Sequence, residues 1–352
     1  MRFSRLLVGF LTILLMVMVL LVPPPHVYAD DDSGLPPAPA LPSKIGKFPG
    51  YNPVKISGSV LPPSGFTGSV KSVCTIPGGD TGGIATVLGG QLIGDLYTGD
   101  LWFYNTAKKT CSIVQSPPSG ANGGFWGLAA VKQGTTSYLV ALDSYGGLAP
   151  GLWTCTFSTS THLCTSVSSW ITIPSSFCST LISHVCYPYG MAFDKSRNLW
   201  YVDVVNEVEV ELTKASHYTA VGPGEPYSLT CEGAGSGCKL VGIVIDSSGN
   251  HYWTDRSCLG EVYKNGALFF SAGDSLNGIT ISTSNPSKTA HLYVTLTNGC
   301  GHYPYPFVGD VNDLTILPSA YSGGAAEMPA ISTSLYFTDD SHDMVWHTYD
   351  AV

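Results

Sequence analysis

Gly190-Met-Ala-Phe-Asp-Lys-Ser-Arg-Asn-Leu-Trp-Tyr-Val-Asp203 and Gly242-Ile-Val-Ile-Asp-Ser-Ser-Gly-Asn-His-Tyr-Trp-Thr-Asp255 follow one plan. Their opening Gly, turn Asp, Ser and Asn, and closing Asp coincide. Each reads as a short apolar strand, a polar turn and a second strand rich in aromatic and β-branched residues, which is a hairpin signature. Related hairpins run from Gly127 to Asp143 and from Gly278 to Thr295. Weaker copies pair Gly83 to Val87 with Gln91 to Tyr97, and Ala330-Ile-Ser with Leu335 to Asp339.

Five steps from Gly83 to Ala330 average about 49 residues, the period of a four-stranded propeller blade rather than of a helical solenoid. Third strands are expected at Leu101-Trp-Phe-Tyr, Leu152 to Phe157, Val208 to Leu212, Glu261 to Lys264 and Val345 to Tyr349. Cys111-Ser-Ile-Val and Cys164-Thr-Ser-Val supply fourth strands. Ser72-Val-Cys74-Thr-Ile has the same character but precedes the first blade, while the last blade runs out of chain after its third strand. The economical reading is an all-β, six-bladed β-propeller over residues 53–352, with an N-terminal strand closing the last blade. The alternative is an open β-sandwich.

Composition agrees. The chain has 352 residues with 40 Gly and 24 Pro and only 12% charged residues, which disfavours helical bundles and coiled coils. Its 44% hydrophobic content excludes global disorder. A formal charge of −9 leaves no basic surplus for nucleic acid, and no polybasic stretch is present for anionic lipid.

Residues 1–29 read as an export signal: a basic start, an uncharged apolar run from Leu6 to Val22, and Val27-Tyr-Ala29 before Asp30. The competing reading is an uncleaved membrane anchor, which would be the protein's membrane contact. Residues 30–52 are acidic and then Pro-rich, as in a linker. All ten cysteines lie beyond residue 29, and an even count with no Cys-x-x-Cys pair argues for disulfides in a secreted or envelope-associated chain. Close spacing suggests Cys155 with Cys164, Cys178 with Cys186 and Cys231 with Cys238. Cys74 with Cys111 and Cys258 with Cys300 are longer-range pairings, and spacing alone leaves the connectivity open.

Tyr252-Trp-Thr-Asp255 matches the motif that names the YWTD propellers, and Pro188-Tyr-Gly190-Met-Ala-Phe-Asp194 with Asn198 to Asp203 resembles an NHL-type repeat. Both resemblances imply six-bladed propellers. They also imply that the Asp closing each second strand, at Asp143, Asp203, Asp255 and Asp339, holds the fold by bonding into a neighbouring loop. Leu276-Asn277-Gly278-Ile279 is similar to the inner-strand start of gluconolactonase-like enzymes, a resemblance that implies calcium bound by Asn277 near the central channel and a lactonase or esterase-like hydrolysis. The matching mouth positions are Gly82, Trp126, Tyr189, Val241, Asn277 and Pro329, among which only Asn277 carries a good calcium ligand. Streptogramin lyases are similar in their Pro-x-Gly blades, but their repeated Trp-Phe-Thr-Glu is not found here. A second candidate cation cluster is Asp339-Asp340-Ser-His342-Asp343 with Gly301-His302 and Asp310-Val-Asn312-Asp313, for which a solvated acidic loop is the simpler account.

The reading that emerges is an exported, disulfide-supported binding module. It receives a small-molecule, carbohydrate or protein ligand on the face carrying Trp126, Tyr189 and Asn277. A calcium-dependent lactonase is the alternative, and a structural envelope protein a third.

Overall fold

In the computed structural model the described residues are 46–47, 71–76, 81–96, 98–116, 126–143, 151–173, 175–178, 180–181, 183, 186–218, 220–222, 227–228, 239–257, 259–272, 275–282, 291–296, 307–312, 315–317, 324–326, 334–339 and 344–349. The chain divides into two units, residues 1–37 and 38–352, and the first lies outside the described residues. So do the stretch read as an export signal and Cys231, Cys238, Cys258 and Cys300. Among the described residues no helix is long and apolar enough to cross a membrane.

The second unit is an all-β propeller. Its first sheet contains β3 (Thr81–Val87), β4 (Gly90–Asp95), β5 (Leu101–Asn105) and β6 (Thr110–Gln115), in that order. The second has β7 (Leu128–Lys132), β8 (Ser137–Asp143), β9 (Gly151–Ser158) and β10 (Leu163–Thr172). In the third are β11 (Pro188–Phe193), β12 (Leu199–Asp203), β13 (Val208–Leu212) and β14 (Tyr227–Ser228). β15 (Leu240–Ile245), β16 (His251–Asp255), β17 (Glu261–Lys264) and β18 (Ala267–Ser271) make the fourth. The fifth is β19 (Leu276–Ser282), β20 (His291–Leu296), β21 (Phe307–Asp310) and β22 (Thr315–Leu317). The last sheet orders β23 (Gly324–Ala326), β24 (Ser334–Asp339), β25 (Met344–Tyr349) and β2 (Lys71–Thr75).

The expected closure is therefore observed: β2 pairs antiparallel with β25, setting Cys74 opposite Val345. Inner strands touch in succession, β3 on β7, β7 on β11, β11 on β15, β15 on β19, β19 on β23 and β23 back on β3. Cores form between sheets rather than within them. Leu92, Phe103 and Trp153 join the first two sheets, Val202 and Trp253 the third and fourth, and Ile76, Ile93 and Val345 the last and first. Each sheet thus buries both faces against its neighbours, which is why its strands alternate so little between apolar and polar.

The ring counts as five-bladed against the six blades expected, and its hydrogen-bond ladders form six sheets. The last sheet is assembled from Lys71–Thr75 and the C-terminal strands around a three-residue inner strand.

Two further expectations need correction. The strand beside β24 is Gly324–Ala326, with Ala326 opposite Tyr336, and not Ala330-Ile-Ser, which lies outside the described residues. Gly46–Lys47, inside the stretch read as linker, forms a short strand (β1) that pairs with β22 as a fifth strand on that sheet.

The recurring glycines mark close passage between inner strands. A Cβ on Gly83 would stand 2.6 Å from the Trp126 carbonyl oxygen, and one on Gly242 would stand 2.9 Å from Ile279 Cγ2. Buried threonines of the second strands tie the same contacts: Thr338 Oγ1 donates to the Gly82 carbonyl at 2.7 Å across the closing seam.

Among the described residues three disulfides are present: Cys155–Cys164 and Cys178–Cys186, which close spacing suggests, and Cys74–Cys111, one of the two longer-range pairings. They point to an oxidising, extracytoplasmic environment.

Candidate functional site

The start of each inner strand is set by a repeated irregularity. Register shifts fall between Thr81 and Ile84, Pro188 and Met191, Leu240 and Gly242, and Leu276 and Ile279. A bulge there breaks the strict alternation of side chains and re-aims the residue it carries. The residues so placed include Gly82, Tyr189, Val241 and Asn277, four of the expected mouth positions.

Trp126, two residues before β7, stacks on Tyr189 of β11, with ring centroids 4.9 Å apart and planes 28° apart. The stack bridges the second and third sheets. Arg256, the residue after the Asp that closes β16, extends it: its Nη1 lies 3.5 Å from Tyr189 Oη. Tyr189 is buried, whereas Trp126 and Arg256 are half-buried. Asn277 sits two inner strands further round the ring from Tyr189, buried, with its carbonyl accepting from Thr254 Oγ1 at 3.4 Å. Trp126 and Tyr189 are therefore brought together, and Asn277 belongs to a different sector. Arg256 was not singled out from the sequence. Its signal was its position directly after the closing Asp of a second strand.

The donor set does not fit a calcium site. A hard cation takes six to eight oxygens, and the described mouth positions Gly82, Trp126, Tyr189 and Val241 contribute no carboxylate or amide beside Asn277. Among the described residues no group of three or more His, Cys, Asp or Glu side chains could hold a metal. Pro329, His302, Asp313, Asp340, His342 and Asp343 lie outside the described residues. In the second cluster, Asp310 accepts from the Asn312 backbone N–H at 2.8 Å and contacts His291 Nδ1 at 2.8 Å.

The strand-closing carboxylates hold loops. Asp203 accepts from the backbone N–H groups of Tyr187 at 2.7 Å, Asn206 at 2.8 Å and Val205 at 3.1 Å. Asp255 accepts from Lys239 N at 2.7 Å and Ser257 N at 3.2 Å. Both are fully buried. Burial pushes the Asp203 carboxyl above its ordinary value despite these bonds. The side chains of Asp143 and Asp339 are outside the described set. In the turns, Asp194 and Asp246 accept from the backbone N–H of Asn198 and Asn250, each at 2.8 Å, which explains the shared Asp-x-x-x-Asn.

His251 is likewise structural. Its Nδ1 lies 2.5 Å from buried Glu209 of the preceding sheet, and Trp200 packs edge-on at 4.6 Å. Burial raises the Glu209 carboxyl above its ordinary value, with His251 pulling the other way. A carboxylate raised on folding binds protons more readily in the native state, so its contribution to stability falls as pH rises from about 4.5 through the higher folded value. Glu209→Gln should therefore flatten that part of the stability–pH curve, as thermal melts from acid to neutral pH will read.

No protein-family model and no curated protein matches the chain. Similar solved structures include a structural genomics protein of unknown function from Bacteroides thetaiotaomicron, with a TM-score of 0.55 at 13% identity over 80% of this chain and 76% of that one. A putative gluconolactonase gives 0.53 at 12% identity, covering 84% of this chain and 95% of its own. Streptogramin B lyase gives 0.52 at 13%, covering 80% and 97%. At such identities the likeness is one of fold.

Proposed function

We propose that this protein is an exported, six-bladed propeller that acts as a binding module, taking a ligand at the mouth beside Trp126 and Tyr189. The six-blade reading is supported by the six ladders and the unbroken succession of inner strands. The observation that carries the binding reading is the Trp126–Tyr189 stack continued by Arg256. The half-buried Trp126 ring, backed by the buried Tyr189 ring, and a guanidinium at one place suit a ligand with a flat apolar face and polar edges, as in a sugar ring. Asn277, in another sector, is assigned to an outer contact of a larger ligand.

A panel of mono- and disaccharides titrated by calorimetry tests this. Saturable binding to one of them should weaken at least about tenfold in Trp126→Ala, which retains its fold because the residue is half-buried and precedes the strand. Binding that is indifferent to Trp126→Ala and Tyr189→Ala would overturn the assignment. Lactone hydrolysis abolished by Asn277→Ala would replace the binding reading with the hydrolase.

A further inference from the structure

We propose that the face opposite the mouth docks on an anionic lipid bilayer through the hairpin turns of the first four sheets. In an up-and-down sheet the turns joining first to second and third to fourth strands share one end. Hydrogen bonds between them show this directly: Thr106 N donates to the Gly89 carbonyl at 3.0 Å, Thr159 N to the Thr136 carbonyl at 2.9 Å and Lys214 N to Asn198 Oδ1 at 3.0 Å. In the fourth sheet Asn265 Nδ2 donates to Asn250 Oδ1 at 2.9 Å.

The basic residues gather at this end although they are scattered in sequence. Lys108, Lys109 and Lys132 come from the first two sheets, Lys195, Arg197 and Lys214 from the third, and Lys264 from the fourth. Against these seven, the described carboxylates at this end of the same four sheets are Asp194, Asp246 and Glu211, which hydrogen-bond within their own sheets, while Asp310 of the fifth sheet is fully buried beside His291. The mouth end has the opposite bias. Asp95, Asp100, Asp203, Glu207, Asp255 and Glu261 stand there against Lys239 and Arg256. The net charge of −9 conceals this division.

Apolar side chains distinguish a bilayer from a soluble polyanion. Of the four exposed large hydrophobics among the described residues, Leu88 at 58% and Leu163 at 51% exposure lie in this set of turns, at the same end as Lys108, Lys109 and Lys132. Leu88 N donates to Tyr138 Oη at 3.2 Å and Phe103 packs on His162 with centroids 4.7 Å apart, so these two sheets present one surface. Leucines among lysines suit the headgroup boundary, with the ammonium groups meeting lipid phosphates. The mouth then faces away from the membrane, open to ligand. The inference stands independently of the binding reading.

The test is flotation of the full chain with vesicles of phosphatidylcholine alone and with one-quarter phosphatidylglycerol, at about 50 mM and about 500 mM salt. Arg2 and Arg5 ahead of the apolar N-terminal run also favour anionic lipid, so the face is read from the difference between the parent chain and a variant that shares this segment. Anionic vesicles should bind at least about tenfold better at low salt. That preference should fall at least about fivefold in Lys108→Gln/Lys109→Gln/Lys132→Gln, whose exposed positions leave the melting temperature unchanged. Leu88→Ser/Leu163→Ser should weaken vesicle binding while leaving retention on immobilised polyglutamate unaltered. Equal binding to both vesicles, a preference undiminished by the triple substitution, or binding to polyglutamate without anionic vesicles would each overturn the proposal.

Discussion

Replacing Cys74 and Cys111 together with alanine should cost about 4 kcal/mol of stability, more than removal of either other disulfide. Cys74 belongs to β2, the strand that closes the last sheet, and Cys111 to β6, the outer strand of the first. The bridge therefore crosses the seam of the ring. It closes a loop with a sequence separation of 37, against 9 for Cys155–Cys164 and 8 for Cys178–Cys186. Chain-entropy scaling gives about 2.5 kcal/mol for each short loop. Position adds to length. Cys155 and Cys164 join β9 to β10, neighbours that an extensive ladder already holds, whereas β2 rests on four pairings with β25 and on Cys74 and Ile76 in the core beside the first sheet. Without the tether the closing strand can peel away, leaving two unpaired edges. Calorimetry of the seam variant beside Cys155→Ala/Cys164→Ala checks this, with a drop in melting temperature of roughly 6 °C expected for the first. A smaller loss at the seam than in the hairpin would refute the closure argument.

That seam was legible because the Ser72-Val-Cys74-Thr-Ile pattern had no sheet of its own, just as the C-terminal hairpin had no fourth strand. The hairpin repeats were legible for a related reason: Gly, Asp and Asn recur where close packing and turn geometry allow little else. Other parts left weaker traces. Phe307-Val-Gly-Asp310, the third strand of the fifth sheet, is four residues long and contains a glycine, too little for an alternating pattern to register. Gly46–Lys47 forms a strand only because β22 offers an unpaired edge, a property of the partner rather than of the two residues. At the mouth, the residue before each repeated Gly was identifiable by position, which found Trp126 and Tyr189. Their stacking depends on how far adjacent inner strands are rotated, and no local pattern encodes that angle. The basic face was hidden most completely, since it exists only once the turns of four separate sheets are brought to one end.

Gly190→Val should be the most damaging single substitution at the mouth, at about 3 kcal/mol or more. A Cβ at this position would stand 2.6 Å from the Val241 carbonyl oxygen, 2.9 Å from Gly242 Cα and 3.1 Å from Ile243 N. All three are backbone atoms of the next inner strand, so no rotamer change relieves the overlap. β11 and β15 must move apart. Met191 of the third sheet and Ile243 of the fourth would lose contact with their cores, adding a packing loss to the steric one. Gly249 offers the control, because nothing lies within 4 Å of its Cβ position and its φ of +83° is the only constraint. Gly249→Asn, a residue that tolerates the left-handed region, should cost less than about 1 kcal/mol. The comparison thus separates close approach from backbone conformation as the reason for glycine. Chemical denaturation of the two variants measures it. In Gly190→Val the near-ultraviolet circular dichroism should also change, because Tyr189 is the preceding residue and the separation of β11 from its neighbour moves its ring against Trp126. An unchanged aromatic signal with full stability would mean that the inner strands pack more loosely than the 2.6 Å approach implies.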